Sequence, residues 1–370
     1  MHYEFPCLHS GITFLNHAAV SPIPDSARRA IREAADLLAE SGPVEHAKWF
    51  ARLKQARERA AALLHCAPGE VAFMRNTTGG LLTVAEGIEW KPGDNVLLPA
   101  GDFPSNRYPW LGLQRRGVEI RYVQPAPGQI GLTADDFVPL IDSRTRVVSV
   151  SWVHYATGFR IALEPLGELC AQRGALFVVD AIQGLGAIPL NVKAAKIDYL
   201  SADGHKWLLG PEGAGVFYAS DDAKDRLDYG LKGWLGVPDP LAFHLEQEPT
   251  PEARRFEEGA LNMLGIFGLS ESMRVLLETG IESVWRAICN FNDELVDGLR
   301  AKGYTIDSPL LETVRSGILS VSRQGVNADE TVRRLQDGGI FISSRDGRLR
   351  ISPHFYNTRQ DIRRLLDALP

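Results

Sequence analysis

The sequence is short of cysteine. Four occur in 370 residues, at Cys7, Cys66, Cys170 and Cys289, and none forms a CxxC pair. That excludes a zinc ribbon, a thioredoxin-type motif and a disulfide-built scaffold. Few, scattered cysteines fit a reducing compartment, so a cytoplasmic location is expected. Positive charge is not in excess either: 40 Lys and Arg against 46 Asp and Glu give a net charge of −6. Bulk attraction to nucleic acid or to an anionic membrane is therefore not expected. No uncharged apolar run reaches the ~18 residues of a spanning helix. The N-terminal MHYEFPCLHSG lacks the basic and apolar regions of a signal peptide. Low-complexity tracts and repeats are missing, as are the P-loop, HExxH and GxSxG motifs, and no metal site is expected.

What is present is globular. Apolar residues make up 45% and charged residues 23% of the chain, enough to bury a large core. The length suggests two domains. Residues 1–25, with three prolines, read as an irregular arm near the active site. Residues 26–260 read as a large domain, opening with helices over 26–40 and 45–65. From 71 to 219, seven short apolar runs alternate with amphipathic stretches: VAFM, NVLLP, EIRYV, RVVSVSW, ALFVVDA, DYLSA and GVFYA. Continuous apolar strands between helices predict an α/β fold with a mainly parallel seven-stranded sheet covered on both faces. Residues 221–260 read as long loops. Residues 261–370 predict a smaller C-terminal α/β domain, with helices on one face of a mainly antiparallel sheet. Its strands are GILSVS, GIFIS and RLRIS.

The chemistry concentrates in FVVDAIQGLGAIPLNVKAAKIDYLSADGHKWLLGPEGAG, residues 177–215. Asp180 ends a buried strand, where ligands bind in open α/β sheets. Lys206 follows another strand, between His205 and Trp207. An apolar, aromatic setting lowers an amine's proton affinity and makes it a nucleophile able to form a Schiff base with an aldehyde. Alone, an Asp at a strand end is usually a cap and a Lys after a strand is usually a surface residue. Asp, Gln three residues on, then His-Lys is a rarer combination. GLGAIP holds two of the three glycines of a dinucleotide fingerprint but meets Pro189 instead of opening a helix, which argues against NAD.

DAIQ followed by DGHKWLLGPEG, in a chain that also carries FLNHAAVSPIP, resembles the class V aminotransferase family of pyridoxal-phosphate enzymes. That group includes cysteine desulfurases, isopenicillin N epimerase, kynureninase and cysteine lyases, on an aspartate aminotransferase-type fold. The resemblance implies that Lys206 carries the cofactor, that Asp180 faces the pyridinium nitrogen and that Gln183 faces the phenolic oxygen. It implies a phosphate cradle at Thr77, Thr78 and Gly79, with His205 as a further contact. It places Phe103 over the ring. RFEEGALNM resembles a segment that crosses a dimer interface to the partner's phosphate, which brings in Gly259 and Ala260; the family's usual Thr is Ala260 here. Arg350, in RLRISPHF, matches the arginine that grips a substrate α-carboxylate. His17 is a further substrate-side candidate, and His154 and Tyr155 both remain possible in SWVHYATGFR.

These residues predict a homodimeric enzyme acting on an α-amino acid, with transamination put first. Elimination at Cβ and epimerisation are the alternatives, because the same residues begin all three. A non-catalytic relative keeping the fold is a reading of another class. Desulfurases place a persulfide-forming cysteine near GIFISSRDGRLR, which has none here. Persulfide-forming desulfurase activity is therefore expected to be weak or absent.

Overall fold

The computed structural model describes residues 4–228 and 233–370. Residues 1–3 of the expected arm and 229–232 of the expected loop region lie outside the described residues. The chain begins with β1 (Thr13–Phe14), then α1 (Asp25–Ser41) and α2 (His46–Leu64). Next come β2 (Val71–Met74), α3 (Thr77–Gly87), β3 (Asn95–Pro99), the single turn α4 (Tyr108–Leu111), β4 (Glu119–Val123) and β5 (Thr145–Ser151). They are followed by α5 (Leu163–Arg173), β6 (Leu176–Asp180), β7 (Tyr199–Asp203) and β8 (Gly215–Ala219).

Strands β2 to β8 form one seven-stranded sheet in the order β2-β8-β7-β6-β5-β3-β4. All run parallel except β8, which is antiparallel to both its neighbours. Every residue of β6, β7 and β8 is buried, as their unbroken apolar texture requires of strands covered on both faces. Edge strand β4 is instead largely exposed. Its Arg121 is held by Glu119 and Asp142, charges that blunt an open sheet edge.

The C-terminal part contains α6 (Met263–Thr279), α7 (Ile281–Ala301), β9 (Thr305–Ile306), β10 (Leu319–Ser322) and α8 (Ala328–Asp337). It ends with β11 (Ile340–Phe341), β12 (Ser343–Arg345), β13 (Arg348–Ile351) and α9 (Arg359–Ala368). Strands β12-β13-β10-β9 make an antiparallel sheet. Leu349 and Ile351 of β13 join Leu319 and Val321 of β10 in one core with Leu295 and Leu299 of α7 and Ile362 of α9. The period-two alternation then points Arg350 to the opposite face of the sheet.

Two local differences from the sequence expectations stand out. The run GIFIS is not one strand. Ile340–Phe341 pairs in parallel with Thr13–Phe14 of the arm, and only Ser343–Arg345 joins the antiparallel sheet. The arm is accordingly not wholly irregular: its β1 closes onto the C-terminal part. Two-residue strands carry too little pattern to be legible in sequence. Among the described residues, no helix is long and apolar enough to cross a membrane.

Candidate active site

Neighbouring strands of the large sheet end side by side, and their ends build the site. β6 ends on Asp180, β7 on Asp203 and β5 on Ser151, which is the register partner of Asp180. Asp180 is 2% exposed, and its Oδ1 accepts one hydrogen bond, from the Ile182 amide at 3.0 Å. Lys206 follows the end of β7 and is 9% exposed. Its position is fixed by its neighbour. The Trp207 indole N–H donates to Gln183 Oε1 at 3.0 Å, and the Trp207 carbonyl is 3.1 Å from His354 Nε2. Gly317 and Gly186 lie so close to Trp207 that a Cβ at either would overlap it, and Gly186 also has φ +97°. Close approach and positive φ, rather than a phosphate, account for that glycine of GLGAIP.

The electrostatics couple the pair. Burial depresses the Lys206 amine to about 8, with Asp180 opposing and Arg350 adding to the effect. Burial raises Asp180 to about 7; the Ile182 N–H opposes this, and Asp102 pushes it further up. Over the amine lies Phe103, whose ring centroid is 5.5 Å from Lys206 Nζ. Phe103 in turn meets Tyr155 edge-on at 5.2 Å.

Arg350 closes the site from β13. It is 1% exposed, and its Nε donates to Ser343 Oγ at 3.1 Å and its Nη1 to the Tyr155 carbonyl at 2.8 Å. Its Nη2 is buried and has no hydrogen-bond partner among the described residues. Among the described residues no carboxylate pairs with it, and burial, helped by Arg345, lowers its proton affinity to about 9. A buried guanidinium without a counter-ion is costly unless an anion arrives.

The cradle residues sit at the start of α3, capped by Asn76, whose Oδ1 accepts from Gly79 N at 2.9 Å. Thr77 is buried and its Oγ1 accepts from Asp203 N at 3.0 Å; Thr78 and Gly79 are half-buried. Gly80 allows α3 to press on Ser201 and Phe217, which a side chain would overlap. The Asp203 carboxylate turns onto its own loop, accepting from Gly204 N and lying 3.0 Å from His205 Nδ1.

Other candidates prove to be committed within the chain. Gln183 also donates to the Ala18 carbonyl at 3.0 Å, so its carboxamide ties Trp207 to the arm. His17 is fully buried, with Nδ1 at 2.8 Å from the Ser352 carbonyl and Nε2 at 2.6 Å from the Tyr356 hydroxyl. Burial and His354 push His17 well below the ordinary histidine value, and both of its nitrogens already have partners. It locks the arm. His154 Nδ1 accepts from Thr157 N at 3.2 Å. Gly259 and Ala260 line a separate cavity of about 80 Å³ with Met74, Arg75 and Gly213.

Asp102 went unseen in the sequence. It accepts from four donors, Phe103 N, Asn106 Nδ2, Ser151 N and Ser151 Oγ, and is 5% exposed. Its only signal was a place shortly after an apolar run. With His154 and Ser151 it also lines a cavity of about 190 Å³.

The residues present fit a group bearing an aldehyde and a basic ring. They offer a buried amine of lowered proton affinity, a buried carboxylate that interacts electrostatically with it and an aromatic roof. The comparisons with known proteins agree. Residues 13–365 match the family described as aminotransferase class-V, and the chain belongs to that family. It is a pyridoxal-phosphate-dependent enzyme of that class. A protein named "Probable cysteine desulfurase" from Methanothermobacter thermautotrophicus is 28% identical over 395 residues, covering 99% of this chain and 96% of its own length. An isopenicillin N epimerase from Amycolatopsis lactamdurans is 26% identical over 405 residues, covering 98% and 95%. The solved cystine C-S lyase C-DES superimposes with a TM-score of 0.89 at 23% identity over 98% of each chain, a likeness of fold.

Proposed function

We propose that this enzyme binds an α-amino acid and moves the proton at its Cα, with transamination as the overall reaction. The observation that carries the reading is Arg350, a buried guanidinium whose Nη2 lacks a partner beside Lys206. A substrate α-carboxylate supplies the missing anion, and the two-pronged guanidinium orients it. When bound, pyridoxal phosphate supplies an electron sink for the pair released at Cα. Lys206 is the residue that holds it, and in its free amine form takes and returns the Cα proton. Asp180 would keep the proton on the ring nitrogen. Phe103 would cover the ring, Thr77, Thr78, Gly79 and His205 would hold the phosphate, and Gln183 would serve the phenolic-oxygen side.

Gly259 and Ala260 line a cavity that Lys206 does not line, which suits a role toward a second copy, and we take the working unit to be a homodimer. Tyr155, touching both Phe103 and Arg350, suits the substrate side better than His154. The four cysteines are free thiols, the state that a reducing cytoplasm maintains.

Elimination at Cβ is the second reading. Relatives are named as cysteine desulfurase and cystine C-S lyase. β12 and β13 are joined by the turn Asp346-Gly347, with no cysteine nearby in sequence to take sulfur. The test is a panel of α-amino acids given to the holoenzyme with a keto acid acceptor, in deuterated water. Amino transfer to the acceptor supports transamination. Ammonia and a keto acid without transfer support elimination, and Cα deuteration with loss of chirality supports epimerisation. If no amino acid changes the cofactor spectrum, amino-acid chemistry at Arg350 is refuted.

A further inference from the structure

Two acids stand across one strand from each other at the site. Asp102 follows β3, Ser151 ends β5, and Asp180 ends β6. Ser151 pairs in register with Asp180, and the Trp152 amide donates to the Asp180 carbonyl at 2.9 Å. Asp102 grips the same Ser151 twice, at its backbone N–H (3.0 Å) and its hydroxyl (2.6 Å). Asn106 Nδ2 adds a third bond at 2.8 Å and is itself held by Ser149, whose hydroxyl donates to Asn106 Oδ1. Phe103 N adds a fourth at 2.7 Å. The donor supply is unequal: four reach Asp102 and one reaches Asp180.

We propose that Asp102 is a positioning residue for the cofactor: its carboxylate, anchored to the register partner of Asp180, is a fixed negative charge that makes Asp180 a stronger acceptor for the ring N–H proton. The proposal rests on the cofactor ring lying against Asp180. A fixed negative charge raises the proton affinity of an acid near it. The raised proton affinity of Asp180, to which Asp102 contributes, has the sign this requires. The other charged groups about Asp180 are Lys206, after β7, and beyond it Arg350 on β13, Arg345 on β12 and Asp203 on β7. The cations among them pull the other way, so Asp102 offsets them. The same anchoring also aims Phe103, which follows Asp102 in sequence and covers Lys206.

The test compares wild-type holoenzyme with Asp102→Asn, Asp102→Ser and Asp102→Glu, each loaded with cofactor labelled with ¹⁵N in the ring. Asn keeps the acceptor toward Ser151 N and Asn106; its amide nitrogen meets the Ser151 hydroxyl, which can turn to accept, and the Phe103 N–H, which is mismatched. Two readouts are followed against pH: the ring-nitrogen chemical shift and the visible absorption band. Losing a nearby anion lowers the proton affinity of its neighbours. Both uncharged variants should therefore lose the ring proton at a pH lower by about one unit, and Asp102→Glu should restore most of it. A merely structural role would lower the melting temperature and leave the ring titration in place. Either folded, uncharged variant keeping the wild-type titration overturns the proposal. Asp180→Asn is the control: if it too leaves the ring titration unmoved, the ring does not lie against Asp180 and the underlying site reading fails instead.

Discussion

Arg350 donates to the Tyr155 carbonyl at 2.8 Å with one arm of its guanidinium and holds the other arm buried and unpartnered. The buried charge has no counter-ion among the described residues, so removing it should help folding and harm binding. Arg350→Met should leave the apoprotein equally or more stable by urea denaturation, because an apolar side chain of similar volume replaces an uncompensated charge. The same change should raise KM for amino acids by about 30-fold or more, the loss of roughly 2 kcal/mol or more in a charge-assisted pair. Arg350→Lys should not rescue it, since a point charge cannot match the fork.

The amine of Lys206 carries a pH signature. Its folded value of about 8 lies below the usual 10.5. The fraction of free amine therefore climbs as pH rises through 8. The rate at which apoenzyme takes up cofactor should rise to a plateau above that pH, where an exposed lysine would go on gaining to about 10.4. The linkage sign follows: between about 8 and 10.5 the unfolded chain binds more protons at this group than the folded one, so this contribution to stability grows as pH rises through that window. Stopped-flow reconstitution and thermal melts of the apoprotein check both.

Gln183 spans two segments distant in sequence. Gln183→Leu keeps the bulk but removes a donor to Ala18 and an acceptor from Trp207, leaving buried groups unpaired. The expected cost is about 1–3 kcal/mol for each group left unpaired. Limited proteolysis should cut the first 20 or so residues faster, with wild-type rates as the reference.

Buried Glu257 pairs with half-buried Arg57, and Glu257 also accepts from Phe73 N at 2.9 Å. Glu257→Ala strands the Arg57 charge. The Phe73 amide loses its acceptor as well, and a loss of about 1–3 kcal/mol is expected by urea denaturation, more than an exposed pair should show.

The thiols should be bystanders. Burial raises Cys7, Cys170, Cys289 and Cys66 alike, Cys289 to about 11 and Cys66 to about 12. Little thiolate is available to attack sulfur. A variant with Cys7, Cys66 and Cys289 changed to serine should keep its activity. Mass spectrometry after turnover with cysteine should find no protein persulfide; a stoichiometric one would contradict this.

Much of this was legible in sequence because it rests on local pattern. The seven runs from VAFM to GVFYA became the seven strands with ends displaced by a residue or so, and Asp180 and Lys206 drew attention by lying at the end of one of them and just after another. What escaped depends on distant pairing. The β1–β11 contact joins two-residue strands about 330 positions apart, which no periodicity signals. Asp102 meets Ser151 only because β3 and β5 are adjacent despite β4 lying between them in sequence. His17 looked like a substrate ligand, and its role in holding the arm depends on Ser352 and Tyr356 at the other end of the chain.

Reduction of the holoenzyme with borohydride, followed by digestion and mass spectrometry, tests the central claim most directly. The cofactor should be found on the peptide that contains Lys206, and Lys206→Ala should abolish the modification while the protein stays folded. Stable modification of a different lysine, or none in protein saturated with cofactor, would contradict the site described above.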